Sequence, residues 1–251
     1  MALASVLLAP GSYGPALAAV VANHLAILTA SLLPRSSLLG PNVTRLWADG
    51  DDREQVVALT FDDGPDPEVT PAVLELLKAA GARATFFCVG ARAESSPDLI
   101  TAIRAGGHGV ENHTYSHPNG FALGGPGAME REIVRAQEAL EDPAAGRPRL
   151  FRSPAGMQNP WLAIVLARTA LSLVSWTRRG FDTVSRDGGR VAARLERGLR
   201  AGDILLLHDG RSARDARGRP VVLEALPRIL DRMGRSGLRS EALHAILGQR
   251  G

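Results

Sequence analysis

Apolar and polar positions follow two regimes along this chain. Residues 2–33 are almost continuously apolar and carry no charged side chain, the first being Arg35. From Val56 onward, short apolar runs of strand length alternate with longer runs of helical period. The strand-type runs are Val56-Val57-Ala58-Leu59, Ala84-Thr85-Phe86-Phe87-Cys88-Val89-Gly90, Leu150-Phe151, Leu173-Val174-Ser175-Trp176 and Leu205-Leu206-Leu207. Between them, Pro71 at the first helical position opens a helix that Gly81 closes, and Pro97 opens another that ends at Gly106-Gly107. Residues 129–140 form a charged amphipathic helix with Ile133, Ala136 and Leu140 on one side; residues 161–170, 191–199 and 221–233 supply further helices. Strand–helix alternation of this kind predicts parallel strands in an α/β barrel.

The apolar beginning is a separate problem. Gly11-Ser12-Tyr13-Gly14-Pro15 divides it, and residues 16–33 approach the ~20 apolar residues that a bilayer span requires. No positive n-region precedes it, as a cleavable signal peptide would have. A membrane anchor is therefore expected in residues 1–34, ahead of a signal-like export segment or a helix packed on the barrel. Arg35 and Arg45 just beyond the span favour a cytoplasmic C-terminal side. Residues 35–55, with Gly40-Pro41 and Asp49-Gly50-Asp51-Asp52, read as a linker onto a domain of residues 56–251. The expected location is thus a bacterial-type inner membrane.

At 251 residues, one large α/β unit is the simplest count. A net charge of +3 would suit an anionic partner, but the basic residues are nearly all Arg and are spread along the chain, and aromatics are only 4%. Nucleic-acid sites interleave clustered bases with stacking rings, so no nucleic-acid partner is expected. Cys88 is the sole cysteine, which excludes an intrachain disulfide, and its apolar strand argues for a packed side chain. His108, in Gly106-Gly107-His108-Gly109, reads as a turn or packing residue.

Chemistry gathers where the strands end. The first strand runs into Thr60-Phe61-Asp62-Asp63-Gly64-Pro65, which sets two carboxylates at a strand's C-terminal mouth, where α/β proteins place ligands. A solvated turn would use the same residue types. Because side chains alternate along a strand, Asp62 and Asp63 can serve different roles, one toward a metal and one as a base. His113 and His117 stand at i and i+4; on a helical turn that spacing aims both imidazoles one way, and two His with one carboxylate leave open coordination positions. His208, after Leu205-Leu206-Leu207, is a proton donor or acceptor suited to neutral pH. Arg152 could hold a carboxylate in a fixed orientation, and Asp182 could orient a histidine. Together these groups suit metal-assisted hydrolysis of an amide or ester.

The ordered set TFDDGP, HTYSH, FRSPAG, W-x5-D and LLLHD resembles the polysaccharide deacetylases of carbohydrate esterase family 4, the NodB homology domain, from about Val56 to Leu247. The resemblance implies a distorted parallel barrel of about seven strands. It also implies Asp62 as general base, Asp63, His113 and His117 as ligands of one divalent ion (zinc, with cobalt or nickel as alternatives), and Arg152 orienting Asp62. His208 becomes the general acid, tuned by Asp182; Leu206 lines the acyl pocket, and the Ala155 N–H serves the oxyanion. Two positions depart from the pattern: Ala155 stands where an aromatic wall is usual, and Thr183 follows Asp182 where tryptophan is usual. The expected activity is removal of an N-acetyl or other N-acyl group from an amino sugar. The alternatives are deacylation or deformylation of a lipid-linked sugar at a membrane, and a catalytically silent sugar-binding protein.

Overall fold

The computed structural model describes residues 13–47, 55–144 and 146–247. The apolar residues 2–10 and the acidic residues 49–52 of the expected linker lie outside the described residues. The elements are α1 (Tyr13–Leu32), β1 (Val56–Asp62), α2 (Val69–Ala79), β2 (Ala84–Cys88), α3 (Gly90–Ser95), α4 (Pro97–Ala105), β3 (Gly109–Asn112), α5 (Pro126–Ala139), β4 (Leu150–Phe151), α6 (Leu162–Arg168), β5 (Ser172–Leu173), β6 (Arg178–Arg179), α7 (Gly188–Glu196), β7 (Ile204–His208), α8 (Val222–Arg235), β8 (Arg239–Ser240) and α9 (Leu243–Leu247).

Seven strands pair in the order β5-β4-β3-β2-β1-β7-β6, and β8 adds to the start of β1. All the pairings are parallel, as the alternating pattern requires. The path stays open between β5 and β6, so the barrel is distorted rather than closed. The chain after α1 runs along that seam. Val43 N–H donates to Leu173 O (2.9 Å), Ser175 N–H returns to Val43 O (2.9 Å), and Leu46 N–H donates to Gly202 O (3.0 Å).

Alternation along the central strand sorts its side chains into two layers. Val57, Leu59 and Phe61 pack under the helices with Phe86, Cys88, Leu205 and Leu207. Val56 and Ala58 turn inward with Phe87, Ile204, Leu206 and Trp176. By the period of two, Thr60 and Asp62 continue the inward row toward the strand's C-terminal end. Cys88 is buried in the outer layer, and burial pushes its thiol up. His108 is buried too, its Nδ1 accepting the Ala84 N–H at 3.2 Å; burial, with Arg83 nearby, brings its pKa down to about 4.

Helix ends differ in detail from the sequence expectation. α2 begins two residues before Pro71, because Asp66 Oδ1 accepts the N–H groups of Glu68 (2.9 Å) and Val69 (3.0 Å) and starts the turn early. α1 is the exception to the packing: Leu17, Val21, Leu25, Leu28 and Leu32 are each about half exposed or more, while Ala30 is buried.

Candidate active site

Arg152 organises the inner face. It is fully buried and lies over the Phe87 ring at 4.0 Å. Its Nη1 donates to Asp62 Oδ1 and to Thr60 Oγ1, both at 2.7 Å, its Nη2 to Ser175 O at 3.0 Å and its Nε to Val174 O at 3.2 Å. The guanidinium is thereby fixed between β1 and the segment that follows β5, and presents one donor to Asp62. Burial lowers the Arg152 pKa, and the facing Asp62 charge opposes that shift. Arg152 and Asp62 are thus in direct contact at the head of the inward row.

The neighbouring carboxylate turns elsewhere. Asp63 has a positive φ of 70°, which swings it out of the strand's alternation. Its Oδ1 lies 3.2 Å from His113 Nε2 and 3.0 Å from His117 Nε2. Burial would raise this carboxyl, but hydrogen bonds and charge from both histidines outweigh it and hold the group far below the usual range. His113 is buried, which lowers its basicity, while Asp62 and Asp63 raise it further than burial lowers it.

The i, i+4 histidines do not lie on a helical turn, contrary to the expectation from spacing. They flank a loop after β3 in which Thr114 (φ 65°) and His117 (φ 53°) take left-handed conformations. The Asn112 side chain accepts Thr114 N–H at 2.9 Å, and Glu132 accepts the Tyr115 and Ser116 N–H groups at 3.1 and 2.8 Å, holding the loop. The rings still meet, with centroids 5.0 Å apart.

Asp63, His113 and His117 could hold a metal ion, one ligand atom from each lying within 4.8 Å of the others. The donor chemistry fits: His113 Nδ1 is engaged with Arg152 O at 2.8 Å, which places its proton there and leaves the Nε2 lone pair facing Asp63. Arg211 Nη1 approaches His117 Nδ1 at 3.3 Å, a contact that uses Nδ1 as acceptor. A ligating Nε2 instead leaves the proton on Nδ1, so Arg211 and a metal require opposite tautomers of His117.

Asp182 is fully buried and grips His208 twice, accepting its backbone N–H at Oδ2 (2.7 Å) and facing its Nδ1 at Oδ1 (2.9 Å). Burial lowers the His208 pKa, but Asp182 more than offsets this, and the group stands above an ordinary histidine. With Nδ1 occupied, Nε2 is the nitrogen left for the cavity.

Eight of the ten residues expected from the sequence line one cavity of about 330 Å³: Asp62, Asp63, His113, His117, Ala155, Thr183, Leu206 and His208. Arg152 and Asp182 stand behind it. Asn119, Gly156, Trp176, Arg179 and Arg211 complete the lining. Arg179 sits in a two-residue strand and Asn119 in a loop, so no periodicity marked them. Ala155 has a φ of 55° in the turn after β4, and Gly156 beside it has a φ of 72°. A Cβ on Gly156 would lie 2.5 Å from Trp176 and 2.6 Å from Pro34, so this wall is closed from behind by Pro34, two residues beyond α1.

A family model for polysaccharide deacetylase matches residues 49–173. A chitooligosaccharide deacetylase of Bradyrhizobium sp. is 34% identical over 72% of this chain and 85% of its own length. The chain belongs to carbohydrate esterase family 4, the polysaccharide deacetylases. A peptidoglycan-N-acetylglucosamine deacetylase of Bacillus cereus is 31% identical over 77% of this chain and 89% of its own. The solved family 4 carbohydrate esterase from Streptomyces lividans, in complex with acetate, superposes with a TM-score of 0.66 at 35% identity, covering 74% of this chain and 91% of its own. As a polysaccharide deacetylase, the protein is a hydrolase of carbon–nitrogen bonds other than peptide bonds.

Proposed function

We propose that this deacetylase removes N-acetyl groups from amino sugars of a glycan, using one zinc ion, with its mouth held at a membrane surface. The observation that carries the chemistry is the convergence on one cavity of Asp62 clamped by Arg152, the Asp63–His113–His117 set and His208 backed by Asp182. Names of relatives support the substrate class, since they act on chitooligosaccharide or on peptidoglycan N-acetylglucosamine.

A divalent ion bound by Asp63, His113 and His117 supplies a Lewis acid for the amide carbonyl and lowers the pKa of a water. Asp62, oriented by Arg152, accepts the proton of the attacking water. The Ala155 N–H donates to the developing oxyanion. His208 Nε2 gives its proton to the departing amine nitrogen, and Asp182 stabilises the charged imidazole before that transfer. Leu206 and Thr183 bound the space for the acyl group.

Support for the membrane reading comes from α1. Its 20 residues span ~30 Å, the thickness of a hydrocarbon core, and its apolar side chains are exposed around most of its girth. The helix ends against the site's own wall: Gln158 N–H donates to Ser31 O at 3.0 Å and Ser175 Oγ to Pro34 O at 2.5 Å. A helix inserted in a bilayer would hold the cavity close to the lipid surface, which favours a lipid-linked sugar as the second reading, with deacylation or deformylation there. Assaying acetate and formate release from N-acylated chitooligosaccharides and from polyprenyl-linked amino sugars tests both. Acetate from the soluble glycans supports the first; turnover confined to lipid-linked sugars replaces it with the second.

A further inference from the structure

Two arginines on the cavity wall take no part in the chemistry above. Arg179 and Arg178 are successive in β6 and point opposite ways. Arg178 turns to the Asp203 carboxylate at 2.5 Å, whereas Arg179, whose register partner is Leu206, faces the cavity. Its guanidinium is held between two rings, 5.6 Å from Trp176 and 5.0 Å from Phe181. Its Nε is buried without a hydrogen-bond partner, and among the described residues it forms no ion pair. Arg211 is exposed and meets His117, in a contact that a ligating His117 cannot keep.

Thr183 extends this surface. It is shared between the catalytic cavity and an open groove of about 540 Å³ lined also by Val184, Arg186, Ala213, Arg214 and Asp215. Asp215 is already satisfied by Arg219 (3.1 Å) and Arg214 by Glu68 (2.6 Å). Arg186 has no such partner among the described residues. Arg179, Arg186 and Arg211 thus bring positive charge to cavity and groove that no carboxylate pairs with among the described residues, beside the amide-cleaving groups.

We infer that the deacetylase selects glycans in which an oxyanion, carboxylate or phosphate, lies next to the N-acylated sugar, and that Arg179 and Arg211 bind it. This rests on the deacetylase reading and narrows its substrate. Arg179 presents a planar fork held beside two rings, and Arg211, whose contact with His117 a ligating His117 cannot keep, is the second cation on the cavity wall. A neutral sugar would leave the Arg179 and Arg211 charges on the cavity wall without a counter-charge, which disfavours it.

Calorimetric binding to the zinc-loaded Asp62→Asn chain tests the inference. Three probes serve: tri-N-acetylchitotriose, the same trisaccharide with a lactyl-ether carboxylate on its central sugar, and a di-N-acetylated disaccharide ending in a 1-phosphate. At least one acidic probe should bind about tenfold more tightly than the neutral one, and the stronger of the two identifies the anion. Arg179→Gln and Arg211→Gln should each remove most of that preference, and raising salt should shrink it. Equal binding of neutral and acidic probes, binding of none, or a preference that survives both substitutions overturns the inference. Acetate release by the wild-type chain is measured in parallel. A selective anion site without any acetate release would support the site and strike the deacetylase reading instead.

Discussion

At the residue scale, adjacent side chains do separate jobs because the backbone changes hand between them. Asp62 keeps the strand's alternation and meets Arg152, while Asp63, at φ 70°, swings to the histidines. Asp62→Asn should therefore keep the divalent ion and lose turnover by roughly 10²- to 10⁴-fold, the usual reach of general base catalysis. Metal analysis beside acetate release checks this, and loss of the ion would exchange the roles of the two aspartates. Arg152→Met should cost about 3–5 kcal/mol in denaturant unfolding, since it leaves Asp62 buried without its cation. His208 gives a pH prediction. As general acid it works while protonated, so kcat/KM falls as pH rises through its pKa, which Asp182 holds above that of an ordinary histidine. Asp182→Asn should move that alkaline limb to lower pH, and an unmoved limb would assign the proton to another group. Each of these residues was legible because a strand-type run delivers it to a mouth. The loop geometry of His113 and His117 was not, since a spacing of four is also met by two left-handed residues.

At the element scale, strand ends were legible and strand lengths were not. β4, β5 and β6 are two residues each, too short for alternation to show which side faces inward, and so Arg179 gave no sign of itself. The apolar character of α1 was plain in the sequence, but its joint to the catalytic wall depends on the Pro34–Gly156–Trp176 contact between segments far apart in the chain. Gly156→Ala should destabilise the fold by more than ~1 kcal/mol, because a Cβ is strained at φ 72° and collides with that joint. A thermal melt checks it; an unchanged melting temperature would show that the joint yields freely. Leu25→Lys with Leu28→Lys, both on exposed positions of α1, should shift the protein from the membrane to the soluble fraction of a host cell. Retention in the membrane fraction would detach α1 from the membrane reading.

At the scale of the whole molecule, an open parallel barrel gathers strand ends around one cavity, and the segment carrying Val43 bridges the side where the sheet does not close. Thr183 lines both that cavity and an outer groove, at the position where the family pattern implies tryptophan. Loss of an apolar wall beside Leu206 should loosen acyl choice, and Thr183→Trp should raise the acetyl-to-butyryl activity ratio by about tenfold, in line with partial burial of a large side chain. The central claim is that one ion held by Asp63, His113 and His117 serves amide hydrolysis on an amino sugar. Acetate release from an N-acetylated chitooligosaccharide, measured before chelation, after chelation and dialysis, and after zinc is restored, tests it most directly. Release, its loss and its return are expected in turn; release undiminished by removal of the ion would overturn metal-assisted hydrolysis at this site.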